Sequence, residues 1–352
     1  MPTSKRKTKH RAPERVTLKF LAEYLSVSPT TVSVVLTNSP LAGTIREETK
    51  QRVWDAVKKF QYRPNLFARY LHTKRTYSIA VLVPEIGDEF SAMLISGIES
   101  TLAAAKFNYF VESHRFAPEQ IENSPDTLMD RQVEGMIFLN TPLKKPMPIP
   151  VVAISDLTRA PGVTRIVIDN YHAVLLGLRH LKELGHRNIA FFKGPENNGD
   201  TEARWSAVLK AASELGLSVR HELTAGMGTY FEAGEKSMLQ RGYEAAMTLL
   251  RNTKDFTAVM AFNDGSATGA IRAIHDMGLS VPGHISVVGI DDIALAGFMS
   301  PRLTTIHQPL RHMGALAAST LLSRIQGEDV PEETVVQPEL VVRESTAQVR
   351  AY

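Results

Sequence analysis

Apolar residues follow two different rhythms on either side of Tyr77. Before it they recur at three- and four-residue steps. Leu18, Leu21, Ala22 and Leu25 share one helical face, Val32, Val35 and Leu36 a second, and Val53, Ala56, Val57 and Phe60 a third. The spacing predicts three short helices, separated by "SVSP" and by the loop "TNSPLAGTI". Pro64 interrupts this segment, and "NLFARYLHTKRT" follows as a brief helical or linker stretch. Beyond Tyr77, apolar runs of strand length alternate with amphipathic stretches. "SIAVLVP", "FNYFVE", "VEGMIFL", "VVAIS", "RIVID", "NIAFFKG", "TAVMAF" and "ISVVGI" read as strands. Helical patterns fall between them, over "SAMLISGIESTLAAA", more weakly around "PDTLMDRQ", from Val174 to Leu184 with Gly185 as the stop, and over "RWSAVLKAASELG" and "GAIRAIHDMG". Such alternation predicts parallel sheets covered on both faces. About ten strands exceed what one open sheet usually holds, so two similar α/β subdomains are expected.

Composition narrows the class. With 352 residues, 43% of them hydrophobic, the chain can fill two or three packed units. It has no cysteine, which excludes disulfides and thiolate metal sites. No apolar run approaches the ~18 residues of a membrane span, and "MPTSKRKTKHRAPER" lacks the apolar segment of a signal peptide. A cytoplasmic protein with no membrane partner is expected. The net charge of +3 conceals an asymmetry: residues 1–76 hold 16 Lys+Arg against 5 Asp+Glu, which taken from the totals of 40 and 37 leaves 24 against 32 for the rest. A basic module on an acidic body points to a polyanion as partner of the module. Residues 1–15 read as a solvated basic tail. From Arg46 to Arg75, by contrast, basic residues alternate with apolar ones at helical spacing.

"LSVSPTTVSVVL" supplies the parts of a helix-turn-helix. Ala22 is the small residue at the crossing, Val27 anchors the turn, Ser28 caps the second helix with Pro29 at its first position, and Val32 and Val35 face the core. Ser26 stands where such turns usually place glycine, and a left-handed backbone there costs roughly 1 kcal/mol. An ordinary helical hairpin would share this packing; the charge asymmetry favours DNA.

"VTLKFLAEYLSVSPTTVSVVL", "YRPN", "GHRNIAF", "NDGSATGA" and "ISVVGIDD", in that order, make the chain resemble bacterial transcription regulators of the lactose and galactose repressor family, from Val16 to about Ser345. The resemblance implies an all-α helix-turn-helix head (16–62), a hinge helix and linker (63–76), and an α/β core of two periplasmic-binding-protein-like subdomains with parallel sheets (77–345). The first subdomain is expected over about 77–168 and 310–337, the second over about 169–309 and 338–345. It implies a homodimer on a palindromic double-stranded operator, regulated allosterically by a small molecule, expected to be a carbohydrate, in the core's cleft.

DNA contacts are expected from Thr17, Ser28, Pro29, Thr30, Thr31, Ser33, Val34 and Tyr62 in the head, and from Asn65, Ala68, Arg69 and Leu71 in the hinge. Leu71 matches the minor-groove wedge of the family. Val34 stands where relatives usually carry a long arginine, and an aliphatic side chain can pack on a thymine methyl but cannot donate to a guanine edge. For the cleft, ligands of open α/β sheets bind beyond the strands' carboxyl ends, where Asp88, Asp156, Asn263 and Asp264 fall. By resemblance Arg204 and Asp264 form the pair that fixes ligand hydroxyls or a carboxylate, Asp156 faces them from the other subdomain, and Gln308 lies on the crossover. Phe90 and Ser91 stand where the family often has two aromatics, of which Ser91 loses the second. For Asp88 and Asp156 a helix cap or turn is the alternative role. Phe231 and Trp205 are candidates for stacking, with a core role the alternative for Trp205.

Enzyme classes find no support: the chain has no P-loop, nucleophile elbow or H-E-x-x-H motif, and "GPENNG" lacks a phosphate-loop lysine. His307 and His312 have no third metal ligand nearby in sequence, so neither a cofactor nor a metal is expected. A solute-binding module without DNA activity would share the core but should have a signal sequence and no basic head.

Overall fold

The first rhythm closes into three helices around one small core. In the computed structural model, which describes residues 16–37, 40–62, 75–143, 145–155, 160–196, 200–229, 236–253 and 255–349, the chain divides into two units between Thr76 and Tyr77. The first unit contains α1 (Leu18–Leu25), α2 (Pro29–Leu36) and α3 (Glu47–Lys59). Leu21, Ala22, Leu25, Val32, Val35, Val53 and Ala56 are its buried centre. Each helix starts on a physical signal. The Thr17 hydroxyl accepts the Phe20 N–H, the Ser28 hydroxyl accepts the Thr31 N–H, and Glu47 and Glu48 occupy the first turn of α3. Ser26 adopts φ 56°, the left-handed turn that the sequence implied, and the Arg52 guanidinium donates to the Leu25 carbonyl at the end of α1. The long loop before α3 contains a 3-10 turn over Pro40–Thr44.

The second unit holds two six-stranded sheets of the same winding. Its elements are β1 (Ser78–Val83), α4 (Glu89–Ala104), β2 (Asn108–Ser113), α5 (Pro118–Asp130), β3 (Gly135–Leu139), β4 (Val151–Ile154) and β5 (Val163–Ile168), then α6 (Asn170–Glu183), β6 (Ile189–Lys193), α7 (Thr201–Glu214), β7 (Thr224–Gly226), α8 (Met238–Asn252), β8 (Ala258–Met260), α9 (Asp264–Asp276), β9 (Ser286–Asp291), β10 (Thr304–His307), α10 (Leu310–Ile325), β11 (Glu333–Val336) and β12 (Glu339–Val341). The first sheet runs β2-β1-β3-β4-β5-β11 and the second β7-β6-β8-β9-β10-β12, parallel throughout except for the β10–β12 pair. The chain passes between the sheets after β5, after β10 and between β11 and β12.

Packing explains the order. β1, β3 and β4 are buried along their whole length, as strands covered on both faces must be. Their cover includes α4 and α10, which approach through Gly97 and Gly314, where a Cβ would strike the backbone of the opposing helix. The stop after α6 is as expected: Gly185 has φ 93°, and the His186 N–H returns to the Leu181 carbonyl. Pro125 inside α5 removes a backbone donor, which is why that helix reads weakly in the sequence.

Candidate functional site

On the head, α2 buries Val32 and Val35 and turns its opposite side outward. Ser28, Pro29 and Thr30 are exposed, and Thr31, Ser33 and Val34 are partly exposed. The Ser28 and Thr31 hydroxyls lie 2.8 Å apart, so cap and first helical turn present one polar surface. This row offers hydroxyls and an aliphatic patch but no cation.

In the core, both sheets reverse their strand order at the first strand, between β1 and β3 and between β6 and β8. Those switch points are where open sheets leave a crevice beyond the carboxyl ends. A cavity of about 300 Å³ occupies the space, walled by Asp88, Phe90, Ser91, Phe116 and Asn140 from one subdomain and Asp200, Arg204, Phe262, Asn263 and Asp291 from the other. Arg204 is only 5% exposed. Its guanidinium donates to the Phe262 carbonyl at 2.6 Å and to Asn170 Oδ1 at 3.2 Å, lies 3.8 Å from the Asp200 carboxylate, and stacks over the Phe262 ring at 4.7 Å. A planar donor fork fixed this way is prepared to meet hydroxyl or carboxylate oxygens.

Asp291 closes the end of β9 at φ 123°, a strained backbone for a residue with a side chain, and Gln308 donates to its Oδ1 at 2.7 Å. Burial, reinforced by the neighbouring Asp264, raises its carboxyl well above the usual range. Asp88 caps α4, accepting the Ser91 N–H at 2.5 Å and the Ser91 hydroxyl at 3.0 Å. Burial raises its pKa as well. Phe116 reaches the wall from an unusual loop in which Arg115 and Phe116 both have positive φ. The fully buried His114 holds that loop: its Nδ1 accepts the Phe116 N–H at 3.0 Å and its Nε2 lies 3.0 Å from the Thr141 hydroxyl.

The comparisons with known proteins agree on what carries these two features. Residues 17–65 match the model of bacterial regulatory proteins of the lacI family, and residues 178–346 match that of the periplasmic binding protein-like domain. The HTH-type transcriptional repressor PurR of Actinobacillus pleuropneumoniae serotype 5b is 32% identical over 94% of this chain and 98% of its own length. The chain belongs to the lacI family of bacterial regulatory proteins. Catabolite control protein A of Priestia megaterium is 29% identical over 92% of this chain and 96% of its own. Among solved structures, the Lac repressor dimer bound to operator and an anti-inducer aligns with TM-score 0.83 at 26% identity, over 95% of this chain and all of that one. The transcriptional regulator CelR in complex with cellobiose aligns with TM-score 0.69 at 27% identity, over 94% of this chain and all of that one. As a member of this family the chain is a DNA-binding transcriptional regulator with an effector-binding core.

Of the residues expected in the cleft of this family member, the structure brings Asp88, Phe90, Ser91, Arg204 and Asn263 to one cavity. Two are corrected. Asp264 is fully buried behind the wall, where its carboxylate accepts the Thr305 hydroxyl at 2.5 Å and the Ile293 N–H at 3.0 Å, in room that Gly289 leaves by lacking a Cβ. Gln308 also lies behind the wall, 2% exposed, and supports Asp291. Of the two neighbouring acids, it is Asp291 that borders the cavity, where the Arg204 charge acts on it against the larger effect of burial. Asn263 spends its Oδ1 on the Ser266 N–H as the cap of α9. Trp205 packs on the core beside Phe191 and stays out of the cavity wall. Tyr62, expected on the DNA, is 8% exposed and belongs to the head's core; Thr17 serves as the cap of α1. Asn65, Ala68, Arg69, Leu71, Asp156 and Phe231 lie outside the described residues.

The sequence reading missed Phe116, Asn140, Asp200 and Asp291. Asn140 and Asp291 stand at strand ends and could have been found by the rule that found Asp88. Nothing local marks Phe116, whose place depends on a buried histidine two residues away.

Proposed function

We propose that this regulator represses transcription as a homodimer on a palindromic operator and that a small polyhydroxylated molecule, of the carbohydrate class, binds the core's cleft and alters operator affinity. The observation that carries the reading is the paired switch-point cavity with a buried, fully oriented arginine at its centre. That arginine is held by a carbonyl, an amide, an aromatic face and the neighbouring Asp200 carboxylate, an arrangement that suits recognition of a bound molecule. Relatives of known structure support the ligand class, since CelR is complexed with cellobiose and an Enterococcus faecium relative has bound ribose. No helix of the described residues is long and apolar enough to cross a membrane, in keeping with a regulator that works where the DNA is. With Val34 on the reading helix and no cation in that row, operator choice leans on thymine methyls, hydroxyl contacts and DNA deformability.

The experiment is selection of duplexes from a random library by the full-length protein, followed by anisotropy titration of the enriched sequence over a salt series. An enriched inverted repeat, bound two chains per duplex with affinity falling steeply as salt rises, is the expected result. Enrichment of no sequence, or a salt-insensitive complex with one chain, would refute the reading.

A further inference from the structure

The cavity carries a charge imbalance that the proposed switch does not by itself require. Among the described residues of its wall, carboxylates come from Glu85, Asp88, Glu89, Asp200 and Asp291, against one guanidinium, that of Arg204. Arg204 is committed to Asp200, Asn170 and the Phe262 carbonyl. Glu85 is exposed and screened by water, and Glu89 Oε1 accepts the Ala294 N–H at 2.9 Å. Two carboxylates remain that border the same space from opposite subdomains, Asp88 at the start of α4 and Asp291 at the end of β9. Their hydrogen-bond partners are uncharged: the Ser91 N–H and hydroxyl for Asp88, the Gln308 amide for Asp291.

An incoming carboxylate or phosphate would bring a further negative charge into this poorly solvated space, and burying like charges together is costly. An ammonium group would meet the opposite situation. It would find two acceptors on the two walls and the rings of Phe90 and Phe116 in the same lining, and aromatic faces also attract cations. Resting on the reading that this cavity holds the effector, we infer that the effector is an amine-bearing polyol whose ammonium group sits between Asp88 and Asp291. Its hydroxyls face the N–H groups that Arg204 has left over, since a guanidinium has five and two donate hydrogen bonds within the protein. The charged groups around Asp291 are Asp264, Arg204, Asp200 and Asp88. Burial and its acidic neighbours raise the Asp291 carboxyl well above its usual range, and an ammonium beside it would lower it again.

The test uses the full-length protein and matched compounds on gluco, galacto and manno scaffolds: the hexose, the 2-amino-2-deoxyhexose, the uronate and the hexose 6-phosphate. Thermal shift selects the scaffold, and calorimetry gives the affinity. The amino sugar is expected to bind about tenfold more tightly than its parent hexose. Asp88→Asn, which retains a good helix cap, and Asp291→Asn should each bring the two compounds within about twofold of one another. Tighter binding of a uronate or phosphate, or an amine preference that survives both substitutions, overturns the inference. If no compound on any scaffold binds, the polyol reading itself fails and this inference falls with it.

Discussion

Acidification from about pH 7 to about pH 4.5 is expected to weaken the wild-type protein by roughly 2.5 kcal/mol more than its His114→Gln variant. His114 is fully buried, and desolvation of its charged form lowers its pKa from 6.5 to about 4. The folded state therefore binds fewer protons than the unfolded state between those two values. Stability contributed by the neutral ring is complete above the unfolded pKa and drains away as the pH falls toward the folded one. A span of 2.5 pH units sets a ceiling near ~3.4 kcal/mol, most of which is lost by about pH 4.5. Geometry gives the same direction: Nδ1 accepts the Phe116 N–H, and a proton placed on it would abolish that bond and set two donors against each other. Glutamine stays neutral throughout. Urea unfolding followed by far-UV circular dichroism at several pH values, on both proteins, yields the difference directly. Parallel pH profiles for the two proteins would refute the argument and show that His114 ionises as an ordinary exposed histidine does.

Further substitutions probe other links. Gly314→Ala should cost at least about 2–3 kcal/mol in urea unfolding, because its Cβ would strike the Leu94 carbonyl and a helix backbone cannot move aside as a side chain can; unchanged stability would place α4 and α10 further apart. Ser28→Ala removes the acceptor for the Thr31 N–H and should lower the head's stability by about 1 kcal/mol, read as earlier loss of amide protection in α2 by hydrogen exchange. Leu71→Ala should lower affinity for the selected operator much more than for random duplex, as the wedge expected from "ARYLHTKR" requires; an equal loss on both would remove the wedge.

Much of the fold is legible because strands covered on two faces leave uninterrupted apolar runs. The fully buried β1, β3, β4 and β9 are read this way, and α6 is read from its apolar face and its terminal glycine. Strands that escape the reading are short or on an edge. β7 has three residues, β11 alternates exposed and half-buried positions, and β12 is an antiparallel addition at a sheet edge. The helix over Leu310–Ile325 buries residues without a strong polar face, so periodicity alone does not announce it. In the cleft, strand-end logic finds Asp88 and Asn263 but cannot say which of two successive side chains turns inward. Asn263 and Asp264 are adjacent, and the helix that starts between them sends one to the cavity and the other behind it. Asp291, also at a strand end, has Asp292 as its neighbour, and the backbone twist there decides which of the two turns to the cavity.

On the proposed function, occupancy of the core's cleft sets the affinity of the head for DNA. The most direct measurement is operator affinity by anisotropy, on the selected duplex, with and without the sugar that stabilises the protein, for wild type and for Arg204→Ala. A shift of about tenfold or more is expected in wild type, in either direction, and no shift in Arg204→Ala, whose affinity without sugar stays close to that of wild type. An equal shift in both proteins, or a sugar that stabilises the core while leaving operator affinity unchanged in wild type, would contradict it.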